Sequence, residues 1–596
     1  MRPIQLFIVS FIICGSNALA QEQANTFVFE GNNFRWTQTT NGSLFYDEST
    51  GDPGLEVPIN EGNHAVYTST LWLGGLNQSD ELKIAFRRFC QNSNESCYEN
   101  WGPLKLNGEL STASEAADYN YIWFVTVEQI ENHVDYFDCL ADPNCDEFSE
   151  FPSYETPSDF MSWPAEGESG YDSNLAPYVD RNGNGNYNPE EGDYPAICGD
   201  FSSFAIWNDL GVSGSEQDGL EIGLEVHTTV YGYNAATGSD FNTLFVQYKL
   251  INRGIQSLSD TYAGLWNDFD LGNSTDDYLG TDVERSMFYV YNGQANDQPN
   301  SAGPGYGTDL PAMGVKVLSG PTAPFNGSDD NSEYSSFYGN ATSGWQDGLL
   351  DNERLGLARS VSYGGGGSPS AVQGPSIAPQ YYHYMKSIWR DGTPLSYGGI
   401  GYVPVDPEVL QAKYSFPGVS DPLNAGTAGI DPEYPLEGGW TEGNEGFPSG
   451  DRRMISSSGP FNISPDDIQY IDLAYIFARE SFDDEETVIE TLQRFADEVE
   501  GMQCEPLPAI VLSADKSPER KPLRVYPNPS SESFSFELHE NSGQMTLIDI
   551  TGKVVLQQNL NSGVQDVDVT KISNGIYIIQ LRSEQSIYHG KVIIEN

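Results

Sequence analysis

Short runs of alternating apolar and polar residues, cut every few positions by Gly, Asn, Asp or Pro, constrain this chain more than any other feature. Side chains with a period of two fit a strand and not a helix. Thr26 to Glu30 and Ala65 to Thr68 are early examples; Leu220 to Val230 and Phe241 to Ile251 flank a Tyr-Asn-Ala-Ala-Thr-Gly turn, and Ile468 to Arg479 is an unbroken apolar run. Helical signals stand out in two places. Thr126 to Tyr136 opens on a Thr126/Gln129 capping box, and Glu485 to Val499 sets Val488, Leu492, Phe495 and Val499 on one face before Gly501. The expected fold is mainly β: a β-rich, multi-part N-terminal region with few short helices and long loops, followed by a small C-terminal β-sandwich. Residues 152–170 read as irregular. Asn292 to Gly446, with its many Gly and Pro breaks, reads as inserts and long connections. Within it Tyr381-Tyr382-His383-Tyr384 and Trp389 read as core more readily than as a sugar-stacking surface.

The organisation follows from the two ends of the chain. Arg2, an apolar run from Leu6 to Cys14 and Ala18-Leu19-Ala20 spell a secretory signal over residues 1–20, with cleavage after Ala20; the apolar run is too short to span a bilayer. No later stretch has the apolar length of a transmembrane segment. Residues 21–504 form the β-rich secreted region. Residues 505–521, carrying Pro506, Pro508 and Pro518, read as a linker. In residues 522–596, apolar runs recur at Ser533 to Leu538, Met545 to Ile550, Val554 to Gln558, Val564 to Val569, Gly575 to Leu581 and Tyr588 to Ile594, the even spacing of a small sandwich.

Charge excludes one class of partner. With 28 Lys and Arg against 86 Asp and Glu, the formal charge is -58, a field that repels nucleic acid and anionic lipid and draws in divalent cations. Export makes the cysteines meaningful. Removing Cys14 with the signal leaves Cys90, Cys97, Cys139, Cys145, Cys198 and Cys504, an even set for which fifteen pairings exist. The close spacings favour Cys90 with Cys97 and Cys139 with Cys145, leaving Cys198 for Cys504.

The stretch Asp180 to Glu191 carries a definite chemistry. Asp180, Asn182, Asn184, Asn188 and Glu191 put oxygen side chains at positions 1, 3, 5, 9 and 12 of a calcium loop; Gly185 stands at position 6, and Asn186 follows as a further amide. Pro177 before and Gly192 to Pro195 after leave no room for EF-hand helices. The expected ligand is therefore calcium in a structural loop, with Asp180, Asn182, Asn184, Asn186, Asn188 and Glu191 as the metal residues. A second acidic knot, Asn267 to Asn273 with Asp276, Asp277 and Asp282, has the composition for a second cation.

Val525-Tyr526-Pro527-Asn528-Pro529, Ile548-Asp549-Ile550-Thr551-Gly552-Lys553-Val554, Asn574-Gly575-Ile576-Tyr577 and Lys591-Val592-Ile593 closely resemble the type A C-terminal sorting domain of the bacteroidete type IX secretion system. The resemblance implies Sec export, passage through the outer membrane by the type IX machinery, removal of the domain, and release or attachment at the cell surface. The preceding region resembles a recurrent group of bacteroidete secreted proteins through Leu71-Trp72-Leu73-Gly74-Gly75, Leu175 to Asp180 with Gly192 to Pro195, Gly264 to Gly272, Tyr397-Gly398-Gly399, and Asp451-Arg452-Arg453 followed by Ser458 to Phe461. That group implies a shared fold and no activity.

No G-x-S-x-G elbow, H-E-x-x-H pair or Walker loop occurs, and Ser513 to Lys516 matches S-x-x-K only inside the linker. No catalytic residue is assigned. The expected function is a secreted or outer-surface, calcium-stabilised protein that binds, adheres or builds structure, with a glycan or surface partner; the alternative is a secreted hydrolase or lyase acting on extracellular polysaccharide or protein.

Overall fold

The computed structural model describes residues 24–48, 50–85, 100–210, 220–300, 303–329, 343–364, 369–404, 406, 408–479, 487–504, 510–512, 519–523, 525–531, 533–549, 554–583 and 586–594. The signal segment and the Cys90 and Cys97 pair lie outside them. Strands make up 38% and helices 12%, so the chain is mainly β as expected. It divides into two compact units. One holds the described residues up to Asn132, Pro157–Leu175 and those from Ile197 to Pro506; the other holds His133–Thr156, Ala176–Ala196 and those from Leu507 onward.

The first unit is built on two sheets. One has the order Thr26–Gly31, Phe34–Thr39, Leu55–Glu56, His64–Leu76, Leu258–Phe269, Arg452–Ile463, Arg359–Gly364, with Leu82–Ala85 also on His64–Leu76. The other runs Asp277–Asp282, Met287–Asn292, Pro311–Ser319, Ile468–Arg479, Thr243–Asn252, Leu224–Gly232, Phe201–Asn208, Asn100–Trp101, with Trp123–Thr126 also on Phe201–Asn208. Their facing sides share one core, to which Trp36, Leu73 and Leu265 come from the first sheet and Val246, Met313 and Leu473 from the second. Alternation then decides what covers the outer faces. On the first sheet, Trp72 and Trp266 point outward and stack at 5.9 Å, and the helix Ala378–Met385 brings Tyr381 and Tyr384 over them. Tyr381, Tyr384 and Trp389 are buried, so this aromatic stretch is core. On the second sheet, the helix Val488–Glu498 lays Leu492, Phe495 and Ala496 against Ala312, Ala474 and Ile476. Gly314 lets the two layers pack closely there: a Cβ would stand 2.7 Å from the Met287 sulfur and 3.1 Å from Leu492, and both side chains would have to shift. The Cys198–Cys504 disulfide ties the start of this sheet's Phe201–Asn208 strand to the chain beyond the helix.

Several expectations shift. Residues 292–446 are not only connections: Pro311–Ser319 is a fully buried strand, Arg359–Gly364 closes the edge of the first sheet, and Ala378–Met385 is helical. Buried on both faces, Pro311–Ser319 loses the polar alternation that marks a half-exposed strand. The first helix is longer than its pattern, Val127–Ala141, but opens on the expected box, with Gln129 Oε1 accepting the Thr126 N–H at 2.9 Å and Thr126 Oγ1 accepting that of Gln129 at 3.3 Å. Ser158–Met161 adds a helical turn to the stretch read as irregular.

In the second unit Tyr178–Asp180 is the middle strand of three, antiparallel to Tyr194–Pro195 and parallel to Ile510–Leu512 from the segment read as linker. Cys139 and Cys145 are bridged here, as spacing favoured. The tail forms a five-stranded sheet, Glu519–Pro522, Ser586–Ile594, Gly575–Ser583, Ser533–Asp549, Val554–Asp568, over a core containing Phe534, Phe536, Leu547, Ile579 and Val592. Its six apolar runs fall on four strands because Ser533–Asp549 and Val554–Asp568 continue through a register shift between Leu538 and Ser542.

Candidate functional site

The loop from Asp180 to Glu191 leaves the end of a strand and returns through one 3-10 turn, Pro189–Glu191. Asp180 is completely buried. Its Oδ1 accepts the Gly183 N–H at 2.8 Å and its Oδ2 that of Gly185 at 2.7 Å, so the backbone winds around the carboxylate. Gly183 and Gly185 have φ of +69° and +81°, and no atom would crowd a Cβ at either; backbone conformation, not space, calls for glycine. Glu191 closes the ring: its Oε2 accepts from the Asn182 amide at 2.9 Å and the Asn184 amide at 3.4 Å. Asp180, Asn182, Asn184 and Glu191 are thus brought together. Asn186 turns its amide back on Asn184, and Asn188 caps the 3-10 turn by accepting the Glu190 N–H at 3.1 Å.

Asp193 is a residue that the loop pattern does not include. Fully buried, it accepts the Arg181 N–H at 2.8 Å and the Asn188 N–H at 2.9 Å, clasping both ends of the loop. Burial raises its pKa, the two N–H groups oppose that, and the charges of Asp180 and Glu191 add to it. The Arg181 guanidinium pairs with Asp138 at 2.6 Å. The ring therefore concentrates carboxylate and amide oxygen, the donor chemistry that calcium prefers.

The second acidic knot separates into three. Asp282 pairs with Arg285 and accepts from Gln493. Asp276 and Asp277 sit by Asp297, which takes the N–H groups of Asn273 and Tyr306. Asp268 and Asp270 instead meet Asp451, with one oxygen from each carboxylate inside a common 4.8 Å span. Asp268 and Arg453 are direct partners on neighbouring strands, and the period of two puts Asp270 and Asp451 on that same face. Arg453 binds Asp268 Oδ2 at 3.1 Å and Asp451 Oδ2 at 3.0 Å. Burial, then the Asp451 charge, pushes Asp268 up to about 7 against the pull of Arg453; burial and both neighbouring carboxylates push Asp270 up to about 8.

The first unit also holds a cavity of about 590 Å³ lined by Tyr119, Tyr121, Trp123 and Trp163 together with Glu166 and Glu168. Its rings are fixed: Trp123 Nε1 donates to the Ser162 carbonyl at 2.8 Å, and the Tyr121 hydroxyl donates to Asp159 at 2.8 Å. Sequence reading passed over it because its walls come from two segments.

The chain is β-rich, carries two disulfides among the described residues and has a small five-stranded sheet in its tail. Residues 524–595 match the secretion system C-terminal sorting domain, and the protein is accordingly one sorted by the type IX secretion machinery to the exterior or the cell surface. Among the described residues no helix is long and apolar enough to cross a membrane. No curated protein matches the chain. Among solved structures it is similar to a polysaccharide lyase at 8% identity with a TM-score of 0.17, over 62% of this chain; it spans 34% of that structure's length.

Proposed function

We propose that this exported protein is a calcium-stabilised binding protein of the extracellular surface, with the loop Asp180 to Glu191 as its structural ion site and the aromatic and acidic cavity as its contact surface for a glycan. The observation that carries the calcium reading is the burial of Asp180 inside its own loop with Glu191 facing it across two amides. Calcium would be held by Asp180, Asn182, Asn184 and Glu191, with Asn186 and Asn188 turning toward the ion, the two near amides rotating to present oxygen. Three amides among the side-chain ligand positions lower the charge on the ion, which sets affinity in the extracellular range, roughly 10⁻⁴ to 10⁻³ M. The cavity supports the contact surface because the half-buried rings of Tyr119 and Tyr121, backed by the buried Trp123 and Trp163, offer flat apolar faces to a sugar while Glu166 and Glu168 accept from hydroxyls. A screen of the exported chain against glycans and proteins, scored for binding and for turnover, tests the reading. Binding that Tyr119→Ala weakens is expected; turnover without retained binding would place the protein among secreted hydrolases or lyases instead.

A further inference from the structure

The Asp268, Asp270 and Asp451 cluster lies far in sequence from the loop, on the outer face of the first sheet beside the buried Trp266 and Ile455. Three carboxylates share one guanidinium. Arg453 engages Oδ2 of Asp268 and Oδ2 of Asp451, and by doing so fixes both carboxylates with their Oδ1 atoms left over. Those two Oδ1 atoms are shielded from solvent and have no hydrogen-bond partner. Asp268 as a whole is only 2% exposed, so its Oδ1 is a buried acceptor with nothing to accept from. Leaving such an acceptor unsatisfied costs about 1 to 3 kcal/mol, more for a charged group. Asp270 adds a third carboxylate, and with all three ionised the group would carry two negative charges beyond what Arg453 neutralises.

We propose that Asp268, Asp270 and Asp451 form a second divalent-cation site, selective for a hard, oxygen-seeking ion of the calcium type, with Arg453 as the positioning residue that holds two of the three carboxylates in place. The geometry fits. Oxygens bound to one calcium at 2.3 to 2.6 Å lie no more than about 5 Å apart, and the three carboxylates already offer atoms within 4.8 Å of one another. The donor set contains neither sulfur nor imidazole, which disfavours zinc and copper. A divalent ion would satisfy Asp268 Oδ1 and Asp451 Oδ1 together and offset the excess charge, which Arg453 alone does not. The site is assembled by strand register: Asp268 faces Arg453 directly across the strand pair, Asp451 precedes Arg453 by two, and Asp270 follows Asp268 by two.

Calcium titration of the full exported chain by calorimetry and by thermal melting tests the proposal, with wild type compared against Asp451→Asn, Asp270→Asn and Asp180→Ala. The Asp451 side chain is 43% exposed, so Asp451→Asn leaves the packed core untouched and is the decisive variant. Wild type is expected to bind one calcium more than Asp451→Asn, or to bind it on the order of tenfold more tightly, because one ligand charge has been removed. In chelator, Asp451→Asn and Asp270→Asn should melt no lower than wild type, since each relieves like-charge crowding; in calcium they should forfeit part of the wild-type gain. Asp180→Ala should lose the loop's ion and keep this one, which separates the two sites. Equal stoichiometry, affinity and calcium-induced melting shift in wild type and Asp451→Asn would overturn the proposal. So would variants whose melting temperatures differ from wild type by the same amount with and without calcium, which would mark a proton-sharing cluster.

Discussion

The loop Asp180 to Glu191 and the cluster Asp268, Asp270 and Asp451 use the same chemistry but are built in opposite ways. In the loop every oxygen comes from one segment, and two glycines with positive φ bend the chain around its own aspartate. In the cluster the carboxylates come from strands about 180 residues apart, and the register between Leu258–Phe269 and Arg452–Ile463 brings them together. A local site needs turn chemistry alone; a distributed site needs the sheet first. The loop should therefore respond to calcium through its own unit, while the cluster should respond through the central strands of the first sheet, where Arg453 pairs with two of its carboxylates.

That difference sets the sizes of the effects that would break or sharpen it. The largest belongs to Arg453. Arg453→Ala leaves Asp268 buried without its partner, and removing one member of a buried pair costs about 3 to 5 kcal/mol. Urea unfolding in chelator should show a loss of that order; a loss below about 1 kcal/mol would mean the sheet does not depend on the pair. For the loop, ligand linkage stabilises the native state by about 2.7 kcal/mol when free calcium stands at 100-fold its dissociation constant. Asp180→Ala and Glu191→Ala should each lower the melting temperature in calcium and remove the loop's part of the shift that chelator causes in wild type, leaving the part that belongs to the cluster. Persistence of the full wild-type shift in both would place the calcium response elsewhere.

A third carboxylate provides the contrast of full pairing. Glu225 is completely buried, 2.9 Å from His227 and 3.5 Å from Arg253. Burial lowers the His227 pKa below 6.5 more than Glu225 raises it. Burial acts to raise Glu225, but His227 and Arg253 outweigh it and leave the carboxyl below 4.5. The folded state then binds fewer protons than the unfolded at both groups, so the contribution of this pair to stability should fall as the pH drops below about 6.5 and continue to fall through the carboxylate range, while the raised Asp268 and Asp270 act with the opposite sign. Melting wild type and His227→Gln side by side from pH 7 to pH 4 checks the sign: wild type should lose more stability than the variant over the upper part of that range, and a wild type that gains relative to His227→Gln on acidification would refute the assignment. This is the smallest of the three effects, since the pair is satisfied at neutral pH.

The same contrast explains what could be read from the residues. The Thr126/Gln129 box, the strand Ile468–Arg479 and the tail motifs are local, and each was legible. Pro311–Ser319 was not, because a strand buried on both faces carries Pro311 and Gly314 where a half-exposed strand would alternate. Its Lys316 is also misleading: the ammonium is buried and donates to the Ala496 carbonyl at 3.0 Å near the end of the covering helix. Asp180 and Glu191 could be paired by spacing, whereas Asp193, two residues past the pattern, could not. The run Gly264 to Gly272 and the run Asp451 to Arg453 were each legible as landmarks, but nothing in either indicates that they lie side by side.

Calorimetric titration of the folded, exported chain with calcium tests the central claim most directly. The account predicts saturable binding with a dissociation constant of roughly 10⁻⁴ to 10⁻³ M at the loop, abolished by Asp180→Ala, and a melting temperature that falls when chelator is added. No binding heat, together with melting unchanged by chelator, would contradict it and leave Asp180 to Glu191 as a polar Asn-Gly turn.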